Sequence, residues 1–108
     1  MAMRLIMAPR GVPAERWRRL TPFQQAVYRA ICGIPKGETR TYHWVAAKIG
    51  KPSAARAVGQ ALHVNPFAPG VPCHRVIRTD GSLGGYAKGL AAKRRLLQQE
   101  GWARLASA

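Results

Sequence analysis

Acidic residues are scarce in this sequence. Asp and Glu together number 4 against 18 Lys and Arg in 108 residues, which gives a formal net charge of +14 at pH 7. A protein with positive charge spread along its whole length is expected to bind a polyanion. Hydrophobic residues make up 47% of the chain, so the composition is that of a globular domain and excludes a disordered basic tail. Nucleic acid is the favoured partner, ahead of an anionic membrane surface.

Cysteines are few, and long apolar runs are absent. Cys32 and Cys73 belong to no CxxC pair and to no Cys/His spacing typical of zinc ligands, which argues against a disulfide framework or a structural metal site. No stretch reaches the length of a membrane-spanning helix, and residues 1–7 are too short an apolar run for a signal peptide. We therefore expect a cytoplasmic protein, in a reducing compartment that permits a functional free thiol.

Helical signals dominate after residue 20. The run Thr-Pro-Phe-Gln at 21–24 combines an N-cap, a proline at the first helical position and a glutamine three residues after the cap. Apolar residues then recur at helical spacing until Gly33. Residues 1–20 are rich in arginine and are interrupted by prolines and a glycine. We interpret residues 1–20 as a basic N-terminal arm and residues 21–108 as one domain.

Two short helices are predicted next, over 42–49 with Thr41 as its cap and over about 54–64 with Ser53 as its cap. Their spacing is that of a helix-turn-helix module. The outer face of the second helix carries no acid, and its small residues would let it approach a groove closely. This face consists of Arg56, Gly59, Gln60 and His63. A polar face that is simply solvated is the alternative interpretation.

A small β-hairpin and a last helix are predicted for the rest of the chain. Val76 and Ile77 favour extended structure, residues 79–82 give a strong turn signal, and the return strand would run to Gly85. A helix over about 90–100 follows, ending at Gly101. The expected fold class is therefore mainly α with a small β-hairpin.

Cys73 is the candidate nucleophile. It stands in the run Pro-Cys-His-Arg-Val at 72–76, and cationic neighbours lower the pKa of a thiol. On an extended segment the side chains of Cys73 and His74 would point apart, which disfavours the direct pair of a cysteine hydrolase. Glu100 stands at a helix C-terminus, where the macrodipole disfavours negative charge. It is either a surface residue without a role or the partner of an imidazole such as His74.

The run at 72–76 resembles the active-site signature of the O6-alkylguanine-DNA alkyltransferases, also called methylated-DNA–protein-cysteine methyltransferases. The similarity extends over about residues 21–102, and its landmarks follow the family order. They are residues 21–24, 37–39, 41–42, 54–59, 65–66, 84–86 and 96–101. The resemblance implies a winged helix-turn-helix-like domain. It also implies direct, single-use transfer of an alkyl group from O6 of guanine in DNA, with no metal or cofactor.

The resemblance further implies a set of site residues. Cys73 would accept the alkyl group, His74 would act through a water as the base, Glu100 would orient His74, and Asn65 would brace the active-site loop. Arg56 would fill the gap that an extruded nucleotide leaves in the DNA. The other DNA-binding residues, in the minor groove, would be Thr41, Tyr42, Ala57, Gly59 and Gln60. The pocket for the guanine would comprise Tyr42, Val76, Tyr86 and Ala87.

Other functions stay open at this point. The compact size resembles the alkyltransferase-like proteins, which bind lesions without repairing them, but those typically carry Trp where this chain has Cys73. A winged-helix transcription regulator is a further alternative, and it would bind one operator sequence. The resemblance covers the DNA-binding and active-site domain alone, so we expect the family's usual additional N-terminal domain to be missing. We expect a monomer bound to double-stranded DNA that contains O6-alkylguanine.

Overall fold

Helices dominate the described part of the chain, which comprises residues 7–86 and 88–102 of a computed structural model. These residues form five α-helices: α1 (Ala14–Arg18), α2 (Pro22–Ile31), α3 (Tyr42–Lys48), α4 (Ala55–His63) and α5 (Leu90–Gln99). They also form two short strands, β1 (Arg40–Thr41) and β2 (Val76–Ile77), and a 3-10 turn at Cys73–Arg75. The prediction of a mainly α fold is confirmed. None of these helices is long and apolar enough to cross a bilayer.

α2 forms where its start signal predicts it. Oγ1 of Thr21 accepts from the backbone N–H of Gln24 at 3.0 Å, and Oε1 of Gln24 accepts from the N–H of Thr21 at 3.0 Å. This capping box pairs N–H groups that lack intrahelical partners at a helix start. One face of the helix is then enclosed through Val27, Tyr28 and Ile31, each 0% exposed. The predicted cap and helix are confirmed.

α3 and α4 form the predicted helix-turn-helix. Oγ1 of Thr41 accepts from the N–H of Trp44 at 3.0 Å and caps α3. Gly50 has φ of +80° and ends α3 in the left-handed conformation that glycine tolerates. The N–H of Lys51 then donates back to the carbonyl of Ala46 at 2.9 Å, which satisfies the helix end.

The predicted cap of α4 is wrong. The residue before this helix is Ala54, whose side chain has no acceptor, and not Ser53. The N–H of Ala54 donates to the carbonyl of Lys51 at 2.9 Å, so the turn closes one residue later than a Ser53 cap would allow. Within the described chain, α4 therefore begins without a side-chain cap.

The two strands pair in parallel, so the predicted hairpin is wrong. β1 and β2 lie side by side with Arg40 opposite Val76. A parallel pair requires a long crossover, which the helix-turn-helix supplies. The predicted turn at 79–82 does form, because the N–H of Arg78 donates to the carbonyl of Ser82 at 3.0 Å. After this turn, residues 83–85 form no strand. The carbonyls of Leu83 and Gly85 instead accept hydrogen bonds from the side chain of Lys93 in α5.

α1 packs onto the domain through Trp17, which is 2% exposed. Its ring centroid lies 6.5 Å from that of Tyr28 and 6.4 Å from that of Phe67. Cζ of Arg16 lies 5.2 Å from the centroid of the Phe67 ring. Part of the segment interpreted as an arm thus contributes to the core, while the domain boundary after residue 20 stays a prediction.

The buried side chains form two clusters that meet at β2. The larger cluster contains Val76 and joins the four helices α1, α2, α3 and α4 to the 3-10 turn at Cys73–Arg75, here called the cysteine turn. The smaller cluster lies beside α5 and consists of Ile77, Leu97 and Trp102. Successive residues of a strand point to opposite sides, so β2 binds α5 to the rest of the domain.

Candidate active site

One asparagine closes the loop that leads from α4 to the cysteine. Asn65 is 8% exposed; its Oδ1 accepts from the N–H of Phe67 at 2.9 Å, and its Nδ2 donates to the carbonyl of Val71 at 2.9 Å. The first contact is an Asx-turn, which asparagine forms readily. The second contact ties the end of the loop to its start, so residues 65–71 are held together ahead of the cysteine.

Cys73 lies on a tight double turn. Pro72 has φ −83° and ψ 65°, and the N–H of Cys73 donates to the carbonyl of Val71 at 2.9 Å, which is an inverse γ-turn. The 3-10 turn over Cys73–Arg75 follows at once. The prediction of extended geometry is wrong here because the γ-turn supplies a partner for an otherwise buried N–H. Both Cys73, 5% exposed, and His74, 1% exposed, consequently lie inside the protein.

Burial raises the pKa of the Cys73 thiol. A hydrogen bond from the Asn65 amide and the positive charges of Lys93 and Lys88 oppose this rise without cancelling it. The resting sulfur therefore keeps its proton at neutral pH. A base must remove that proton before the sulfur can act as a nucleophile.

Glu100 joins His74 to Arg75. Its Oε2 lies 2.9 Å from Nε2 of His74 and accepts from Nη2 of Arg75 at 2.8 Å, while its Oε1 accepts from Nε of Arg75 at 2.9 Å. Nη1 of Arg75 donates to the carbonyl of Ile34 at 2.8 Å. A two-pronged guanidinium–carboxylate contact fixes orientation as well as charge. Arg75 therefore pairs with the carboxylate of Glu100, although it stands only two residues from Cys73 in the chain.

The charge of Glu100 determines the tautomer of His74. Burial acts to raise the pKa of Glu100, but hydrogen bonds from Arg75 and His74 outweigh it and lower that pKa to about 2. An ionised carboxylate can only accept, so Nε2 of His74 carries the hydrogen and donates it. Burial lowers the pKa of His74 against the opposing effect of Glu100, so the ring is neutral near pH 7. Its Nδ1 is buried and has no partner among the described residues, so this nitrogen can take up a proton.

The end of α5 positions Glu100. The N–H of Trp102 donates to the carbonyl of Leu97 at 3.0 Å, and the N–H of Gly101 bonds back to the last turn at 3.0 Å, which together form a Schellman motif. Gly101 has φ of +82°, as this motif requires. Trp102 packs on Leu97 and is 7% exposed. The helix end is thus fixed, and its carboxylate is held against the 3-10 turn.

A buried lysine lies behind the site. Lys93 of α5 is 0% exposed, and its Nζ donates to the carbonyls of Val76 at 2.8 Å, of Gly85 at 3.2 Å and of Leu83. Burial lowers the pKa of Lys93 to about 8, and negative charge on Cys73 acts in the opposite direction. Near pH 7 the amine is therefore cationic. It ties residues 83–85 to β2 and places positive charge near the sulfur.

Cys73 lines a pocket of about 600 Å³, within the range of roughly 300–1,000 Å³ typical of small-ligand sites. The buried and half-buried residues of its wall are Tyr42, Ala55, Gly59, Leu62, Cys73 and Tyr86. The exposed residues, which form its rim, are His43, Arg56, His63, Arg78, Thr79 and Gly85. No acid of the described chain lines the pocket. The site thus favours an electron-rich or anionic ligand.

Tyr42 stands in this pocket against Gly84. A Cβ at residue 84 would lie 2.7 Å from Oη of Tyr42, and Gly84 has φ of +73°. Both the contact and the backbone conformation require glycine at this position. Burial raises the pKa of Tyr42, so its hydroxyl is protonated near pH 7 and can donate a hydrogen bond.

Five of the thirteen predicted site residues line this pocket, and three more lie beside Cys73. Those that line it are Tyr42, Arg56, Gly59, Cys73 and Tyr86. His74 follows Cys73, and its ring centroid lies 6.5 Å from that of Tyr86. Asn65 donates to the carbonyl of Val71, two residues before Cys73, and Glu100, directly after α5, contacts His74.

The remaining predicted site residues lie elsewhere or cannot be placed. Gln60 is exposed on α4 and Ala57 is half-buried there. Thr41 caps α3, and Val76 is 0% exposed in β2 with its carbonyl bonded to Lys93. Ala87 lies outside the described residues.

Sequence reasoning missed two cations of the site, Lys93 and Arg78. Helical spacing carried a signal for the first, because Lys93 stands four residues before the buried Leu97 and so shares its face. Arg78 offered no comparable signal, because its position at the pocket depends on the parallel pairing of β2.

Comparison with known families and curated proteins shows which proteins this chain is similar to. The family described as 6-O-methylguanine DNA methyltransferase, DNA binding domain, matches residues 22–102. A methylated-DNA–protein-cysteine methyltransferase of Methanosarcina barkeri is 58% identical over 80 residues, which are 74% of this chain and 51% of that protein. The chain thus spans about half the length of this curated relative.

Two solved structures are also similar. The crystal structure of Mycobacterium tuberculosis OGT in complex with DNA matches with a TM-score of 0.74 and 55% identity, over 76% of this chain and 50% of that one. S. pombe Atl1, in complex with damaged DNA containing O6-carboxymethylguanine, matches with a TM-score of 0.69 and 37% identity, over 77% of this chain and 79% of that one. The resemblance predicted the helix-turn-helix-like fold of an alkyltransferase domain, and this prediction is confirmed.

Proposed function

Because the chain belongs to the family of 6-O-methylguanine DNA methyltransferase DNA-binding domains, we propose that it repairs O6-alkylguanine in DNA by transferring the alkyl group to Cys73. The observation that carries the proposal is the position of Cys73, in the wall of a basic pocket and next to the His74–Glu100 pair. The relatives support it: one is named for transfer to a cysteine, and another holds DNA in its structure.

The proposed reaction is an in-line displacement at the alkyl carbon. Nδ1 of His74 takes the thiol proton of Cys73 through a water, and Glu100 stabilises the imidazolium that forms. The thiolate bonds to the alkyl carbon, the bond from that carbon to O6 breaks, and its electron pair stays on the guanine. The guanine takes up one proton, for which the protonated hydroxyl of Tyr42 is a donor in the pocket. The thioether is stable, so each molecule acts once.

Extrusion of the damaged nucleotide precedes the chemistry in this proposal. A base inside the duplex is out of reach of a buried sulfur, and unstacking it costs roughly a few kcal/mol. Arg56, exposed at the rim on α4, would fill the gap in the stack, with α4 in the minor groove. The further DNA contacts proposed for this helix and for the start of α3 are those of Thr41, Tyr42, Ala57, Gly59 and Gln60.

The guanine would lie between Tyr42 and Tyr86. Val76 stays part of the proposed guanine site through the resemblance, although it is 0% exposed and its carbonyl accepts from Lys93. Ala87 stays part of this proposal through the resemblance alone. We further propose that the protein acts as a monomer on double-stranded DNA in the cytoplasm, without a metal or an organic cofactor.

Lesion binding without transfer is the second candidate function. The likeness to S. pombe Atl1, whose structure contains damaged DNA with O6-carboxymethylguanine, favours it. The thiol of Cys73 argues against it, because a protein that only senses lesions needs no nucleophile in the pocket.

Intact-protein mass spectrometry separates the two functions. The protein is mixed with a duplex that contains a single O6-methylguanine, and the product is digested to locate any modification. Transfer predicts that one methyl group replaces one hydrogen, on the peptide that contains Cys73, with one lesion repaired per protein molecule. Tight binding of the lesion with no change in protein mass would establish the sensor and exclude the enzyme.

Replacement of Glu100 by glutamine is expected to slow transfer. The neutral amide stabilises the imidazolium of His74 less and leaves Arg75 without its counter-charge. We expect the single-turnover rate at neutral pH to fall by about tenfold or more. The deficit should shrink at higher pH, where hydroxide removes the thiol proton without help from His74.

The stability of the same variant gives a second measurement. Since the pKa of Glu100 is lowered from 4.5 to about 2, its ionised form stabilises the fold fully above pH 4.5, and this contribution is lost as the pH falls towards 2. The difference in free energy of unfolding between wild type and Glu100→Gln should shrink across that window. Glu38→Gln is the control, because Glu38 is exposed and its one ion pair among the described residues is with Arg40. A wild-type pH–rate profile for Glu100→Gln would contradict the proposed relay.

A further inference from the structure

The turn after β2 presents a free arginine at the rim of the pocket. Arg78 is exposed and lines the pocket, and its guanidinium makes no hydrogen bond or ion pair within residues 7–86 and 88–102. Its backbone is fixed on both sides: its N–H donates to the carbonyl of Ser82 at 3.0 Å, and its carbonyl accepts from Gly81 at 2.9 Å. The neighbouring acid, Asp80, accepts from the N–H and hydroxyl of Ser82 at 2.9 and 2.8 Å. A positioned cation is thus left for an external anion.

Two further polar side chains stand beside Arg78. Nδ1 of His43, near the start of α3, and Oγ1 of Thr79 lie 3.2 Å apart, and both residues are exposed and line the pocket. This contact joins the turn to α3, so the guanidinium, the hydroxyl and the imidazole form one continuous part of the rim. Arg56 and His63 of α4 form another part.

The charge of Arg78 extends into the pocket. Burial raises the pKa of the Tyr42 hydroxyl, and the guanidinium of Arg78 acts against that rise. The same guanidinium reinforces the lowering of the pKa of Lys93 by burial. Arg78 therefore lies near the pocket that contains Cys73 as well as near the solvent.

We propose that Arg78, together with Thr79 and His43, binds a backbone phosphate of the strand whose nucleotide enters the pocket. The inference rests on the proposed function. A base that swings into the pocket leaves its flanking phosphates at the rim, where an anion meets these three side chains first. The planar guanidinium donates to two phosphate oxygens at once, and a hydroxyl is a common further phosphate ligand. Arg56, if it occupies the DNA stack, is not available for this contact.

Arg78→Ala tests the site against Arg95→Ala, which removes the same charge from an exposed position on α5 outside the pocket wall. Each variant is reacted with a duplex containing O6-methylguanine and with the free base O6-benzylguanine, which carries no phosphate. Arg78→Ala should slow the reaction with the duplex by roughly fivefold or more, and should reduce the slope of log rate against log salt by about 1. It should slow the reaction with the free base much less than the reaction with the duplex, because only the duplex carries the phosphate, and Arg95→Ala should leave both reactions unchanged.

Three outcomes would overturn the phosphate site. These are equal losses in Arg78→Ala and Arg95→Ala, an unchanged salt slope in Arg78→Ala, or an equal loss with the free base, which would assign Arg78 to the pocket chemistry. Arg78→Lys keeps the charge and should restore the salt slope but only part of the rate. If no substrate alkylates Cys73, the proposed function fails, while fluorescence anisotropy with the same duplex still measures the loss of affinity in Arg78→Ala.

Discussion

Cys73→Ala is expected to abolish alkyl transfer and to leave DNA binding intact. Cys73 supplies the one thiol of the pocket wall in the described chain, and a thiolate is a much stronger nucleophile than the imidazole and phenol groups that also line the pocket. The surfaces proposed to hold DNA are α4 and the rim, which the substitution does not touch. Transfer of label from O6-methylguanine to the protein measures the first effect, and anisotropy with an O6-methylguanine duplex measures the second.

Cys32→Ala is the matched control for this experiment. Cys32 is the second free thiol of the protein, half-buried at the end of α2 and outside the pocket wall, and burial raises its pKa too. It should retain full transfer. Label on the Cys73→Ala protein would contradict the assignment of the acceptor, and loss of DNA binding would show that Cys73 is a structural residue.

The Cys73→Ala protein should also remain folded. The substitution removes one buried sulfur atom, which we expect to change the free energy of unfolding by no more than about 1–2 kcal/mol. Urea denaturation checks this value and separates loss of chemistry from loss of structure.

Helix ends were predictable because their signals are local. The capping bonds of Thr21 and Thr41 reach three residues along the chain, and Gly101 ends α5 through the backbone conformation of one residue. Each of these signals acts within one turn of helix, so tertiary packing has little chance to override it. The failed cap at Ser53 is an exception, because a backbone hydrogen bond of Ala54 moves the turn by one residue.

The strands and the cysteine turn could not be read in the same way. Val76 has strand propensity, but its partner, Arg40, lies before the whole helix-turn-helix. A local turn signal at 79–82 favoured the nearest partner, and the long-range parallel pair replaced it. The γ-turn at Pro72 likewise depends on the loop that Asn65 closes, which no short window reveals.

The site residues that the resemblance identified could be predicted from the sequence. The contacts that these and other side chains make with backbone atoms could not. The unfavourable position of Glu100 at a helix end raised a contact with His74 as one possibility, and the structure brings the two together at 2.9 Å. The contacts of Arg75 and Lys93 were not predicted because their partners include carbonyl oxygens, at Ile34 and in the segment 83–85. A carbonyl has no sequence signature, since every residue carries one.

Lys93→Met is the second substitution for which we expect a large effect. It leaves the buried carbonyl of Val76 and the part-buried carbonyls of Leu83 and Gly85 without their shared donor, and an unpaired buried acceptor costs about 1–3 kcal/mol. Removal of a buried charge offsets part of this cost, so we expect a net loss of about 2–4 kcal/mol in the free energy of unfolding. Urea denaturation measures it. Arg94→Met is the control, because Arg94 is the exposed neighbour of Lys93 on α5. Its free energy of unfolding should stay within about 0.5 kcal/mol of wild type.

The pH dependence of transfer separates a structural from an electrostatic role of Lys93. Burial raises the pKa of the Cys73 thiol, and the ammonium group of Lys93 restrains that rise. Without the ammonium the thiolate forms at higher pH, so the rise of the transfer rate should move to higher pH in Lys93→Met and stay in place in Arg94→Met. A stability loss with an unmoved profile would limit Lys93 to holding residues 83–85 against β2. Unchanged stability would contradict even that role, because those carbonyls would then need no buried donor.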